Sequence, residues 1–86
     1  MNIIELISIV KKKLQEQIVI EDIIIEDKSF LHKNHVGNQK GRFHLKIIIE
    51  SNELKKLSRI ERNKRIYKIL NKEIKDFIHS IQILIN

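Results

Sequence analysis

Apolar residues at Ile3, Leu6, Ile7, Val10 and Leu14 recur every three or four positions, while Lys11, Lys12, Lys13 and Gln15 stay largely outside that stripe. The spacing predicts an amphipathic helix. Asn2 and Glu5 have capping-box spacing at its start, and the helix is expected to close near Leu14–Gln17. Ile18 to Asp27 is rich in β-branched residues, with the strand itself at about Glu21 to Asp27. Ser29 to Gly41 contains His32, Asn34, His35, Gly37, Asn38 and Gly41, the composition of an exposed loop. It is longer than an ordinary hairpin connection, and loops of that kind often carry function. A second strand follows from Arg42 to Glu50. Alternation turns Phe43, Leu45, Ile47 and Ile49 to the core, and His44, Lys46 and Ile48 to the opposite, solvent-facing side.

Ser51 to Leu57 has room for one short helical turn. Ser58 and Glu61 form a second capping box, opening a long helix expected from Arg59 to Phe77. Ile60, Asn63, Tyr67, Leu70, Ile74 and Phe77 mark its stripe, and Lys64, Lys68, Lys72 and Lys75 mark a separate edge. The last strand is expected from His79 to Ile85. The order is α-β-β-α-α-β, an α+β domain spanning residues 1–86 without internal repeats. The first two strands form an antiparallel hairpin, and a right-handed crossover returns the third parallel to the second. Helices then cover one face of a three-stranded mixed sheet. In that topology His79 lies near the 28–41 loop with its His32 and His35.

The chain has 86 residues, enough for one domain. At 42% hydrophobic against 33% charged it has the balance of a folded chain and not of a disordered one. It contains no cysteine, which removes disulfides, thiolate nucleophiles and all-cysteine metal sites. No apolar run approaches the roughly 20 residues of a membrane span, and Met1 leads directly into a helix start, so a cytoplasmic location without membrane contact is expected. The net charge of +6 is concentrated. Residues 55–75 hold nine Lys or Arg against Glu61 and Glu73, which leaves the remainder at −1. Such a segment suits nucleic acid or an acidic partner, although a lysine edge is more often a solvated face.

Two or three converging imidazoles could hold zinc or iron, which makes His79 with a loop histidine the leading constellation. Strand alternation makes His44 a weaker candidate. Catalysis finds little support. There is no nucleophile triad in local sequence, and the Gly37–Gly41 stretch precedes a strand and not the helix a phosphate loop requires. The element order is that of a class II KH-like fold, which grips RNA through a Gly-x-x-Gly clamp between consecutive helices. Here the junction reads Leu54-Lys-Lys-Leu-Ser58, without glycine.

Three stretches, taken in order, resemble the BolA family: Asp27-Lys-Ser-Phe-Leu-His32-x-x-His35-x-Gly37, Arg59-Ile-Glu-Arg-Asn-Lys-Arg-Ile-Tyr67 and Phe77-Ile-His79-Ser-Ile81. The likeness extends over almost the whole chain. It includes an Asp-x-Ser-x-x-His stretch, an Arg-x-x-x-x-Tyr core in the long helix, and a histidine twelve positions after that tyrosine. The family's Arg-His-Arg appears here as Arg62-Asn63-Lys64, and no extended tail follows the last strand.

The resemblance implies a non-enzymatic adaptor that pairs with a monothiol glutaredoxin of the CGFS type and shares a [2Fe–2S] cluster with it, in cluster assembly, trafficking or iron and redox sensing. It assigns the strand-start ligand to His79 and the loop ligand to His32, with His35 as substitute. The partner supplies its cysteine and a glutathione thiolate, so no cofactor is expected on the isolated chain. Two imidazoles can take one iron of such a cluster, as in Rieske centres. The alternative is a DNA-binding transcriptional regulator using the basic helix 59–77, with Arg62, Asn63, Lys64 and Lys68 as the nucleic-acid or partner contacts. A histidine-only metal store ranks third.

Overall fold

The computed structural model describes residues 1–29 and 43–86. Within them the chain forms α1 (Ile3–Gln17), β1 (Asp22–Asp27), β2 (Phe43–Glu50), α2 (Asn52–Lys55), α3 (Arg59–Ile69), α4 (Asn71–Asp76) and β3 (Ile78–Ile85). The loop histidines His32 and His35, and Arg42 at the expected start of the second strand, lie outside the described residues.

Both expected caps form. The Glu5 amide donates to Asn2 Oδ1 at 2.8 Å, and Asn2 Nδ2 returns a hydrogen bond to Glu5 Oε1 at 3.1 Å. The Glu61 amide donates to Ser58 Oγ at 3.2 Å. Each bond satisfies an amide that the first helical turn leaves without a partner. Ser51 has two roles: its Oγ accepts from the Leu54 amide at the start of α2 and donates to the Val19 carbonyl. The short α2 is thereby fastened to the α1–β1 connector.

The sheet order is β1-β2-β3. β1 pairs antiparallel with β2, placing Ile23 opposite Ile49 and Ile25 opposite Ile47. β3 pairs parallel with β2, as the crossover rule requires. Leu45, Ile47 and Ile49 of β2 are buried against Leu6, Val10 and Leu14 of α1 and Ile66 of α3, with Leu70 just beyond α3. On the other face Ile24 and Leu84 flank Ile48 in one register row and are 50% and 41% exposed. The helical layer therefore lies on one side of the sheet.

Two expectations need correction. The long helix is divided at Leu70, whose φ of −98° and ψ of 16° leave the helical region. No glycine or proline announces the break. It falls between two anchorages, Arg62 and Arg65 of α3 bonded to the α2 region and Glu73 of α4 bonded to Lys13 of α1. The buried stripe also differs in part from the expected one. Leu70 is buried as expected, with Ile74 and Phe77 packed against the core, but Ile66 and Glu73 also turn inward, whereas Ile60 is 68% exposed and Tyr67 42%. Apolar residues stand on both sides of α3, so in its first two turns periodicity alone picked the outer set.

Candidate functional site

The site begins at the turn after β1. Asp27 Oδ1 accepts from the Ser29 amide at 2.9 Å, and Ser29 Oγ accepts from the His44 amide at 3.1 Å. The Lys28 amide donates to the His44 carbonyl at 2.7 Å. The Asp-x-Ser stretch is thus a backbone tie that fixes the first residues of β2. A register shift follows: Phe43 stands opposite Ile78, but His44 stands opposite Ser80. His79 is the extra residue of that irregularity, a device that re-aims side chains.

His44 corrects the sequence reading. It does lie on the face away from the helices, yet it is only 5% exposed. Its Nδ1 lies 2.6 Å from Ser80 Oγ, and its ring centroid is 5.0 Å from that of His79, with the planes tilted by 59°. His79 itself is exposed. The parallel β2–β3 pairing therefore brings together two imidazoles 35 positions apart, one fixed and one accessible.

Beside this pair is an open cavity of about 360 Å³, lined in part by Lys28, His44, Lys46, Ser80 and Gln82. Lys28 is 3.5 Å from Glu26, which offsets part of the charge. A depression with two ammonium groups next to two imidazoles suits an anionic group better than a bare dication. Among the described residues no three His, Cys, Asp or Glu side chains come together as a complete metal-binding group. Sequence reasoning missed His44 and Ser80 because alternation reports which face a residue takes and not what covers it.

The residues of the basic segment separate into two roles. Arg62 Nε donates to the carbonyls of Leu54 and Leu57 at 2.8 and 3.0 Å, and one terminal nitrogen donates to the Lys55 carbonyl at 3.0 Å. Its guanidinium closes the α2–α3 junction where an RNA-gripping fold would carry glycines. Asn63 is half-buried, while Lys64 and Lys68 are exposed. The lysines are available to a partner, and Arg62 is committed to carbonyls at the end of α2. No helix among the described residues is long and apolar enough to cross a membrane.

The arrangement has recognisable relatives. A protein of Haemophilus influenzae named "DNA-binding transcriptional regulator BolA" is 31% identical over 74 residues, covering 86% of this chain and 69% of that one. The Arabidopsis thaliana "Protein BOLA1, chloroplastic" is 28% identical over 81 residues, and the match spans half of its length. Among solved structures, BolA1 from Arabidopsis thaliana superposes with a TM-score of 0.78 at 24% identity, over 92% of this chain and 87% of that one. The BolA domain of SufE1 from the same plant gives 0.77 with the same coverage and identity. These structural likenesses show the fold. A family model described as BolA-like protein matches residues 14–86, and with that match the chain belongs to the BolA family.

Proposed function

We propose that this chain is a non-enzymatic adaptor of the cytoplasm that pairs with a monothiol CGFS glutaredoxin and shares a [2Fe–2S] cluster with it, in cluster assembly, trafficking or sensing. The observation that carries the reading is the placement of His79. It is an exposed imidazole at the start of β3, 5.0 Å from a second imidazole, in a chain with no cysteine. A cysteine-free donor set cannot hold a cluster in the all-thiolate manner, but His79 with a loop histidine, His32 or its substitute His35, would offer two imidazoles to one iron. Of these, His79 is exposed at the start of β3, and the loop histidines lie outside the described residues.

In this reading His79, oriented by the β2–β3 pairing, would hold one iron together with a loop histidine, while Lys28 and Lys46 would accommodate negative charge arriving with the partner's thiolates. The cluster, when bound, supplies one-electron redox chemistry. Because the ligands come from two proteins, the complex assembles and dissociates as a unit, which suits transfer or sensing. The experiment is size-exclusion chromatography of the chain mixed with cluster-loaded CGFS glutaredoxin, followed by visible absorption. A mixed species that retains the cluster absorption supports the reading. Separate elution of the two proteins at micromolar concentration contradicts it.

DNA binding is the second reading, favoured by the printed name of the Haemophilus influenzae relative and by the exposed Lys64 and Lys68. The engagement of Arg62 with three carbonyls weighs against it, since that residue was the expected basic anchor.

A further inference from the structure

We propose that the free edge of β3 is a docking site for an extended, acidic segment of a partner protein, which adds to the sheet as a fourth strand beside α3.

β3 is one of the two outer strands of the sheet, and its hydrogen bonds show which backbone groups are left over. The Asn86 amide donates to the Ile49 carbonyl at 2.8 Å, and the Asn86 carbonyl accepts from the Ser51 amide at 3.3 Å. In a parallel ladder the residue that makes both bonds recurs at every second position. Gln82, Leu84 and Asn86 therefore turn their backbone groups to β2, and Ile81, Ile83 and Ile85 turn theirs away from the sheet. Such a row of amides and carbonyls is a template for another strand, and folds commonly guard it with charge or proline. The opposite edge is guarded: β1 carries Asp22, Glu26 and Asp27 among six residues. The eight residues of β3 include no lysine, arginine, aspartate, glutamate or proline.

This edge opens into a groove of about 360 Å³ lined by Arg59, Arg62, Asn63, Ile83, Leu84 and Ile85. Ile83 and Ile85 pack against the core on the helical side, and Leu84 is 41% exposed on the other. An added strand would meet apolar side chains on both faces and bond to the backbone between them.

The charges choose the occupant. The lining holds two guanidiniums and no carboxylate, and Arg59 is exposed with no ion pair among the described residues. A second copy paired edge to edge would set two basic α3 segments side by side about a two-fold axis, like charge against like. Single-stranded nucleic acid binds on aromatic stacking platforms, and no lining residue is aromatic. An extended peptide takes its affinity from main-chain bonds and its specificity from alternate side chains, and acidic side chains suit Arg59. The groove lies toward the end of β3 remote from His79, so the proposal stands apart from the cluster reading.

The probe is a capped peptide alternating valine and glutamate, of the eight-residue length of β3, titrated to about 1 mM into the ¹⁵N-labelled full chain. In the free chain, hydrogen exchange should be fast at the Ile81 and Ile83 amides and slow at those of Gln82 and Leu84. The peptide should slow exchange at Ile81 and Ile83 severalfold and shift their signals most. A valine–lysine peptide, a version methylated on its backbone nitrogens, and the exposed-site variant Arg59→Glu should each weaken binding about tenfold.

Absence of binding at that concentration overturns the proposal, as does equal binding of the lysine or the methylated peptide. Slow exchange at Ile81 and Ile83 in the free chain, with a dimer in sedimentation velocity, would give the edge to a second copy. Tighter binding of an oligothymidylate at the same amides would make the groove a nucleic-acid site. Either result contradicts an acidic peptide as the occupant.

Discussion

Arg62 Nε donates to the Leu54 carbonyl at 2.8 Å, across the junction of two consecutive helices. Together with the bonds to Leu57 and Lys55 it satisfies carbonyls that the end of a four-residue helix leaves exposed. Hydrogen bonds from a charged donor are worth about 1.5–3 kcal/mol each at most, and these are only partly buried. Arg62→Ala should therefore destabilise the fold by about 2–3 kcal/mol in urea unfolding. Arg62→Lys should recover little of it, because an ammonium cannot reproduce the planar fork. A loss below about 0.5 kcal/mol would show that the junction holds without the guanidinium.

Nucleic-acid binding can then be tested apart from folding. Lys64 and Lys68 are exposed on α3, away from the buried residues that hold the helix to the sheet. Any duplex binding should be weak and salt-sensitive, since nothing among the described residues reads base edges. Lys64→Glu with Lys68→Glu should flatten the dependence of log K on log salt by about 2 at most, at roughly 0.9 for each phosphate no longer neutralised. Sequence-specific binding that persists at raised salt and ignores this double substitution would instead favour the regulator.

Glu73 is 3% exposed, and its Oε2 lies 2.6 Å from Lys13 Nζ, tying α4 to α1. Its other oxygen, Oε1, is buried without a hydrogen bond among the described residues. Lys13 is partly solvated, which screens the pair and discounts its Coulomb energy. Lys13→Ala should still cost about 2–3 kcal/mol, because it strands a buried carboxylate. Lys13→Met combined with Glu73→Leu should be close to neutral, read by thermal and urea unfolding. If the single and double variants lose equal stability, the pair is not what joins the two helices.

The inner face of α3 provides a direct comparison. Ile66→Ala should cost about 3–4 kcal/mol through the cavity it leaves, whereas Ile60→Ala should stay within about 0.5–1 kcal/mol. Equal losses in urea unfolding would restore the stripe that periodicity alone suggests.

How much of this was legible in the sequence depends on the range of the cause. The two caps and the hairpin follow from local chemistry, and the parallel return of β3 follows from a chirality rule; all three are observed. The break at Leu70 and the inward turn of Ile66 are set by what α1 and α2 offer to α3 and α4, and neither has a local signal. The exposed place of His79 at the start of β3 was legible from the strand pattern. The burial of His44 was not, because it depends on Ser80 and on a register shift between strands far apart in the chain. Arg62 was read as a contact for partners because its acceptors are backbone carbonyls, which composition cannot reveal. His32 and His35 lie outside the described residues.

The central claim is that His79 ligates a cluster shared with a partner. The most direct measurement is a titration of this chain into cluster-loaded CGFS glutaredoxin, followed by visible absorption and circular dichroism. The unmodified chain should reshape the spectrum and, by replacing thiolate with imidazole on one iron, raise the reduction potential, as histidine ligation does in Rieske centres. His79→Ala should abolish most of that change. If His79→Ala gives the same spectral change as the unmodified chain, the shared-cluster account is wrong.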